Sequence, residues 1–204
     1  MQAVATGKLQ LSAVVLAGGR NVRMGGRDKG LVEFRGAPLA AGVLRLLEPL
    51  FEEVILVTNR PEPYRLLAGS AVLTADRIAG CGPLGGIHAG LHRAGHEAAF
   101  CLACDMPCLS ADFIRRQAEA YLEQDCEILI PRVAGRIEPL HAIYRKSLLA
   151  RIEGLLTDGE GCSIRRLLPL ARTEYLELEE TPEVLKMFTN INEPGDLDVL
   201  RGQP

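Results

Sequence analysis

Between residues 16 and 29 the sequence packs four glycines and four basic side chains, Arg20, Arg23, Arg27 and Lys29, directly after an apolar run. Glycine lets backbone amides approach an anion closely, and Arg and Lys neutralise it. This is the composition of a triphosphate cradle, and equally that of a surface loop rich in glycine and charge. The loop has neither the G-x-x-x-x-G-K-[ST] spacing of a P-loop nor the G-x-G-x-x-G of a dinucleotide-binding turn. A second glycine-rich stretch, residues 80–86, precedes a helical pattern, where a helix N-terminus favours negative charge or a close ribose and base. A tight strand-to-helix connection would use the same residues. Third, Asp105 follows a strand pattern in the segment Cys104-Asp-Met-Pro107. A carboxylate at a strand end facing a basic glycine loop is suited to a divalent cation bridging phosphate oxygens, whereas an isolated D-x-P is a turn.

Other chemistry-bearing residues are read more plainly. His88, His92 and His96 recur at i, i+4 and i+8 and form one stripe on a helix, read as a partly exposed face in preference to a metal site. His141 lies inside an apolar run and is either a hydrogen-bonded core histidine or an acceptor-site residue. Cys101, Cys104 and Cys108 are spaced C-x2-C-x3-C, but no second C-x-x-C completes a four-thiolate shell, so buried or loop thiols are expected. The acidic series Glu174, Glu177, Glu179 and Glu180 is read as a solvated edge.

The elements that must position these residues follow from periodicity. Strand-length apolar runs fall at 12–17, 54–58, 71–74, 98–103 and 127–130, with helical spacing between most of them. Helices are expected over 38–47, from about 84 to 95, and from a Ser110 cap through 112–123. Beyond residue 131, strands are expected at 140–144 and 173–178 and helices at 147–156, 162–168 and 193–200. Strands alternating with helices predict an α/β fold of three layers, a mostly parallel sheet with helices on both faces. Ligands of such sheets bind outside the carboxyl ends of the strands, where the three loops fall.

The length of 204 residues fits a single domain over 1–204, with about 11–130 binding nucleotide and about 131–204 covering the sheet and supplying an acceptor site. A formal net charge of -3 gives no reason to expect nucleic-acid binding, and the apolar runs are too short for a membrane span. The N-terminal residues lack a secretory pattern, so a cytoplasmic location with reduced cysteines is expected.

Taken together, the loops resemble the molybdenum cofactor guanylyltransferases of the MobA type, within the nucleotidyltransferase superfamily. The resemblance is carried by LAGGRNVRMGGRDKG at 16–30, GPLGG at 82–86, CDMP at 104–107, EPLHAIY at 138–144 and TNINEPGDL at 189–197. It implies a Rossmann-like nucleotidyltransferase fold that transfers GMP from GTP to molybdopterin with Mg2+ or Mn2+. Leu16, Ala17, Gly18, Gly19, Asp76 and Gly82 would contact the nucleotide, and Arg23 and Lys29 would neutralise the triphosphate. Asp105 would bind both GTP and the metal, and Asn190 and Asn192 would sit near the pterin. Partners implied are GTP, molybdopterin and, transiently, other proteins of cofactor biosynthesis. Glu138 departs from a histidine common before Pro-Leu, Asn21 from a serine, and Val57 from an asparagine that contacts nucleotide in some members. A CTP-dependent cytidylyltransferase acting on molybdopterin or a small phosphorylated alcohol, and a catalytically silent nucleotide-binding module, are the alternative expectations.

Overall fold

The run Leu-Ser-Ala-Val-Val-Leu has no polar alternation to speak of, and such a strand must be covered on both faces. In the computed structural model it forms β1, Leu9–Leu16, at the interior of an eight-stranded sheet. The structure describes residues 7–18, 28–192 and 195–196. The other strands of this sheet are β4 (Phe51–Val57), β5 (Val72–Thr74), β6 (Ala98–Ala103), β7 (Ile128–Val133), β8 (Arg136–Ile137), β9 (His141–Arg145) and β10 (Thr173–Leu178). A separate two-stranded hairpin joins β2 (Glu33–Phe34) to β3 (Ala37–Pro38). Its turn places Arg35 and Gly36 at positive φ.

The main sheet runs β10-β7-β9-β6-β1-β4-β5, with β8 paired to β7. Strands β1, β4, β5 and β6 pair in parallel, as do β7 and β10. Only β9, antiparallel to both β6 and β7, and the short β8 run against this direction. The three-layer, mostly parallel architecture expected from the alternating pattern is therefore present.

Successive residues of β1 serve opposite cores. Ala13, Val15 and Ala17 pack with Val43, Leu44 and Leu47 of α1 (Leu39–Leu47) and with Ile114, Ala118 and Tyr121 of α3 (Ala111–Leu122). Val14 and Leu16 pack with Leu84, Ile87 and Leu91 of α2 (Gly82–Arg93), together with Ile152 of α4 (Leu149–Thr157) and Leu167 of α5 (Ile164–Leu167). Cys101 and Cys104 fall in different cores, on opposite faces of the sheet, which is why their spacing does not make a thiolate cluster.

Ser110 caps α3 by accepting a hydrogen bond from the Phe113 amide at 3.2 Å, as its position indicates. The sequence reading passed over α6 (Pro182–Met187), although Thr181 accepts from the Val184 amide and Pro182 opens the first turn. The helix expected over 193–200 falls mostly outside the described residues.

The α2 helix lies on β1 through its glycines. A Cβ on Gly90 would collide with the branched side chain of Val14, and one on Gly86 would meet Leu16 Cδ2 at 2.9 Å. Gly42 of α1 has open space in the same position. Gly90→Ala is expected to cost about 1–2 kcal/mol: the clash with a branched side chain puts the overpacking loss in the upper part of its range, about 2–3 kcal/mol, less about 1 kcal/mol for the better helix propensity of alanine. The thermal unfolding midpoint should drop by roughly 2–8 °C. Gly42→Ala, measured alongside, should show no loss; equal stability of both variants would refute the close contact.

Candidate active site

A cavity of about 790 Å³ opens where β1, β4, β5 and β6 end, at the position where chain connections leave β1 in both directions. Its walls bring together three separated stretches. Leu16, Ala17 and Gly18 leave β1, Asp76 and Gly82 flank the loop before α2, and Cys104 and Asp105 follow β6. Backbone bonds hold these exits in register: the Ala17 amide donates to the Val57 carbonyl and the Cys104 amide to the Leu16 carbonyl.

Lys29 is the charged centre. Its Nζ donates to Asp105 Oδ2 at 3.1 Å and to Asn192 Oδ1 at 2.8 Å, so residues far apart in sequence meet at one ammonium. The geometry is fixed from behind. Asp28 Oδ1 accepts from the Gly30 amide and from the Tyr64 hydroxyl, which pins the chain on either side of Lys29. Burial, with the bond to Asp28, holds the Tyr64 phenol far above its ordinary pKa, so it stays a donor. The other Asp105 oxygen, Oδ1, is buried and has no hydrogen-bond partner among the described residues. An orphaned carboxylate oxygen beside a cavity is costly, and a hard divalent cation with oxygen ligands satisfies it. Asp105 therefore fits as the residue that would hold such a cation.

The α2 N-terminus supplies a second anion-favouring element. Cys81 precedes the helix without making a side-chain cap, in contrast to Ser110 at α3, and Gly82, Pro83 and Gly86 line the cavity. Amide donors left uncapped at a helix start are free to meet a phosphate or a sugar oxygen. Gly80 and Gly82 both adopt positive φ, which fixes the loop as glycine-dependent. Residues 80–85 carry a G-x-G-x-x-G spacing that the sequence reading overlooked; it follows the short β5 rather than the first strand of a dinucleotide-binding unit.

Of the residues singled out in sequence, Leu16, Ala17, Gly18, Lys29, Asp76, Gly82, Asp105, Asn190 and Asn192 all line the cavity. Gly19 and Arg23 lie outside the described residues. Asn59 was missed. It lines the cavity and forms a reciprocal pair with Asp76, its Nδ2 donating to Asp76 Oδ2 at 2.8 Å while the Asp76 amide donates to its Oδ1 at 3.0 Å. The signal in the sequence is the polar Thr-Asn-Arg run directly after the apolar strand β4. Thr58 Oγ1 accepts from the Arg60 amide, completing this turn.

His141 does not belong to the site. It is fully buried, packed against Phe100, Phe113 and Phe188, and its Nδ1 bonds Gln117 Oε1 at 3.0 Å. The acceptor-site alternative is therefore corrected to a core histidine. Its position on β9 turns the ring into the core while Leu140, one residue earlier, lines the cavity.

The fold and the site define a nucleotidyltransferase-type α/β protein, with a glycine-rich, lysine- and carboxylate-bearing cavity at the carboxyl ends of parallel strands. The chain belongs to the family described as MobA-like NTP transferase domain, which its residues 13–175 match. It is 38% identical to a probable molybdenum cofactor guanylyltransferase of Peptoclostridium acidaminophilum, over 93% of this chain and 88% of that protein. It is 36% identical to a molybdenum cofactor guanylyltransferase of Syntrophotalea carbinolica, over 94% and 91%. Among solved structures it resembles the molybdopterin-guanine dinucleotide biosynthesis protein A of Archaeoglobus fulgidus, with a TM-score of 0.79 and 27% identity over 93% of this chain and 96% of that one. No helix among the described residues is long and apolar enough to cross a membrane.

Burial lowers the His141 pKa to about 4, so the native state holds the ring neutral. Against an unfolded value near 6.5, the resulting stability is present in full above about pH 6.5 and declines as pH falls toward about 4, by roughly 3 kcal/mol. His141→Leu should flatten that decline between pH 7 and 4.5 in urea unfolding, whatever its effect at neutral pH. An unchanged slope would place the acid sensitivity elsewhere.

Proposed function

We propose that the chain transfers the GMP moiety of GTP to molybdopterin, forming the guanine dinucleotide form of the molybdenum cofactor and releasing pyrophosphate. The observation that carries this reading is the Lys29–Asp105 pair with the orphaned Asp105 Oδ1, placed on a nucleotide-sized cavity in a family whose named relatives are molybdenum cofactor guanylyltransferases. Leu16, Ala17, Gly18, Asp76 and the Gly82 region accommodate base, ribose and phosphate. Asn190 and Asn192 face the acceptor, and the second half of the chain supplies the acceptor side of the site.

In the transfer, a terminal phosphate oxygen of molybdopterin attacks the α-phosphorus of GTP in line. One P–O bond forms there as the bond from the α-phosphorus to the bridging oxygen of the β-phosphate breaks, and pyrophosphate carries away the electron pair. The nucleophile is already ionised, so no general base is assigned. Lys29 neutralises the charge gathering on the leaving pyrophosphate, a contribution realised most fully in the transition state. The uncapped start of α2 adds oriented amide donors at no reorganisation cost. Mg2+ held by Asp105 would supply further charge neutralisation across the phosphates.

Pyrophosphate release should require GTP, molybdopterin and Mg2+ together when each of the four NTPs is tried in turn. Asp105→Asn, which keeps the side-chain shape, and Lys29→Ala should each lower kcat/KM by about 10²–10³. A preference for CTP would transfer the chain to cytidylyl chemistry, and no release with any NTP from folded protein would leave nucleotide binding without turnover. Asn59→Ala, which frees Asp76, should raise the KM for GTP about fivefold, the worth of a net hydrogen bond of about 1 kcal/mol, with kcat little changed.

A further inference from the structure

Two histidines and a glutamate meet on the face of the molecule covered by α2 and α4. His88 and His92 stand one turn apart on α2, and Glu153 projects from α4 toward both. His88 Nε2 lies 3.0 Å and His92 Nε2 2.9 Å from the same oxygen, Glu153 Oε1. The three ligand atoms fall within 4.8 Å of one another. None of the three residues lines the cavity described above.

We propose that His88, His92 and Glu153 form a binding site for a divalent transition-metal ion of the zinc class, separate from the nucleotide cavity. Two imidazole nitrogens at i and i+4 with one carboxylate oxygen are the donor set of a borderline cation; hard Mg2+ and Ca2+ take oxygen ligands instead. The spacing fits. With metal–nitrogen and metal–oxygen bonds of about 2.0–2.1 Å, tetrahedral ligand atoms lie about 3.3 Å apart; the two histidine-to-carboxylate separations need to open by only a few tenths of an ångström, and the two imidazole nitrogens, within 4.8 Å of each other, adjust by side-chain rotation. Three protein ligands leave a fourth position for water, reachable because His92 and Glu153 are partly exposed while His88 is buried.

The protons can be accounted for. Without a metal, Nε2 of each ring donates to the carboxylate oxygen, which can only accept. Metal binding requires the Nε2 lone pairs, so each ring holds its proton on Nδ1 instead. His88 Nδ1 is buried and without a partner among the described residues, so no bond on that side of the ring fixes the Nε2–H tautomer. Among the described residues Glu153 alone bonds that ring, and Glu153 is the group the metal would share. A bound ion would then tie α2, whose first turn borders the cavity, to α4.

The test uses the full chain, stripped with EDTA and kept reduced, with Zn2+ affinity measured by competition against a chromophoric chelator and Co2+ read by its visible absorption. Wild type and Asp105→Asn should each bind about one equivalent with the same affinity and show the strong bands of four-coordinate Co2+. His92→Ala and Glu153→Gln, both at partly exposed positions, should lose at least tenfold in affinity and lose those bands, while unfolding in EDTA at temperatures close to wild type. Zn2+ should raise the melting temperature of wild type but not of these two variants. Equal affinity in all four proteins, loss confined to Asp105→Asn, or no binding by wild type at micromolar Zn2+ would each overturn the proposal. The outcome is independent of whether GTP is the nucleotide used.

Discussion

The distance between α2 and β1 governs the rest of this molecule. A helix seated on a sheet is ordinarily spaced by side chains, but here Gly90 and Gly86 let the α2 backbone settle directly onto Val14 and Leu16. β1 is interior to the sheet and covered on both faces, so it cannot shift to accommodate a bulkier neighbour. The helix axis is thereby set against the strand whose end forms the floor of the cavity. Its uncapped first turn then sits beside Gly18, and its later turns are presented to α4.

A division of labour follows along β1 and β6. Most residues within the strands are apolar and serve two cores, while the first residues beyond them, Ala17 and Gly18 in one case and Cys104 and Asp105 in the other, border the cavity. The proposed chemistry thus rests on short exits from rigid strands, where small backbone displacements are resisted on both sides. Asp105 adds a further restraint, because its carbonyl accepts from the Ile191 amide while its carboxylate meets Lys29.

Much of this was legible before any coordinates. The apolar runs at 12–17, 54–58 and 98–103 had to be strands buried on both faces, and Ser110 announced α3 through its capping chemistry. Asp105 was readable as a carboxylate at a strand end facing a basic glycine loop, and the family resemblance singled out Lys29 within that loop. What escaped were relations between elements. The antiparallel direction of β9 carries no local signature, and with it went the orientation of His141, whose ring enters the core among three phenylalanines. The histidine stripe looked partly exposed because spacing reports a face but not what covers it. His88 is buried against α4, Glu153 comes from a helix 61 residues beyond His92, and His96 lies past the end of α2 at Arg93. Asn59 was overlooked since its value lies in holding Asp76, 17 residues away.

The bond from Lys29 to Asn192 spans 163 residues of chain. Contacts of such separation form late, because the entropy of closing a long loop is lost before the contact returns anything. The pairing of β1, β4, β5 and β6 needs nothing beyond residue 103, whereas the lysine's last partner arrives only once the final strand and α6 have been laid down. The four parallel strands around β1 are thus held by the first half of the chain alone, while the charged centre draws on both of its ends. Loss of the last residues would leave those strands their partners and take from Lys29 one of the two side chains it binds among the described residues.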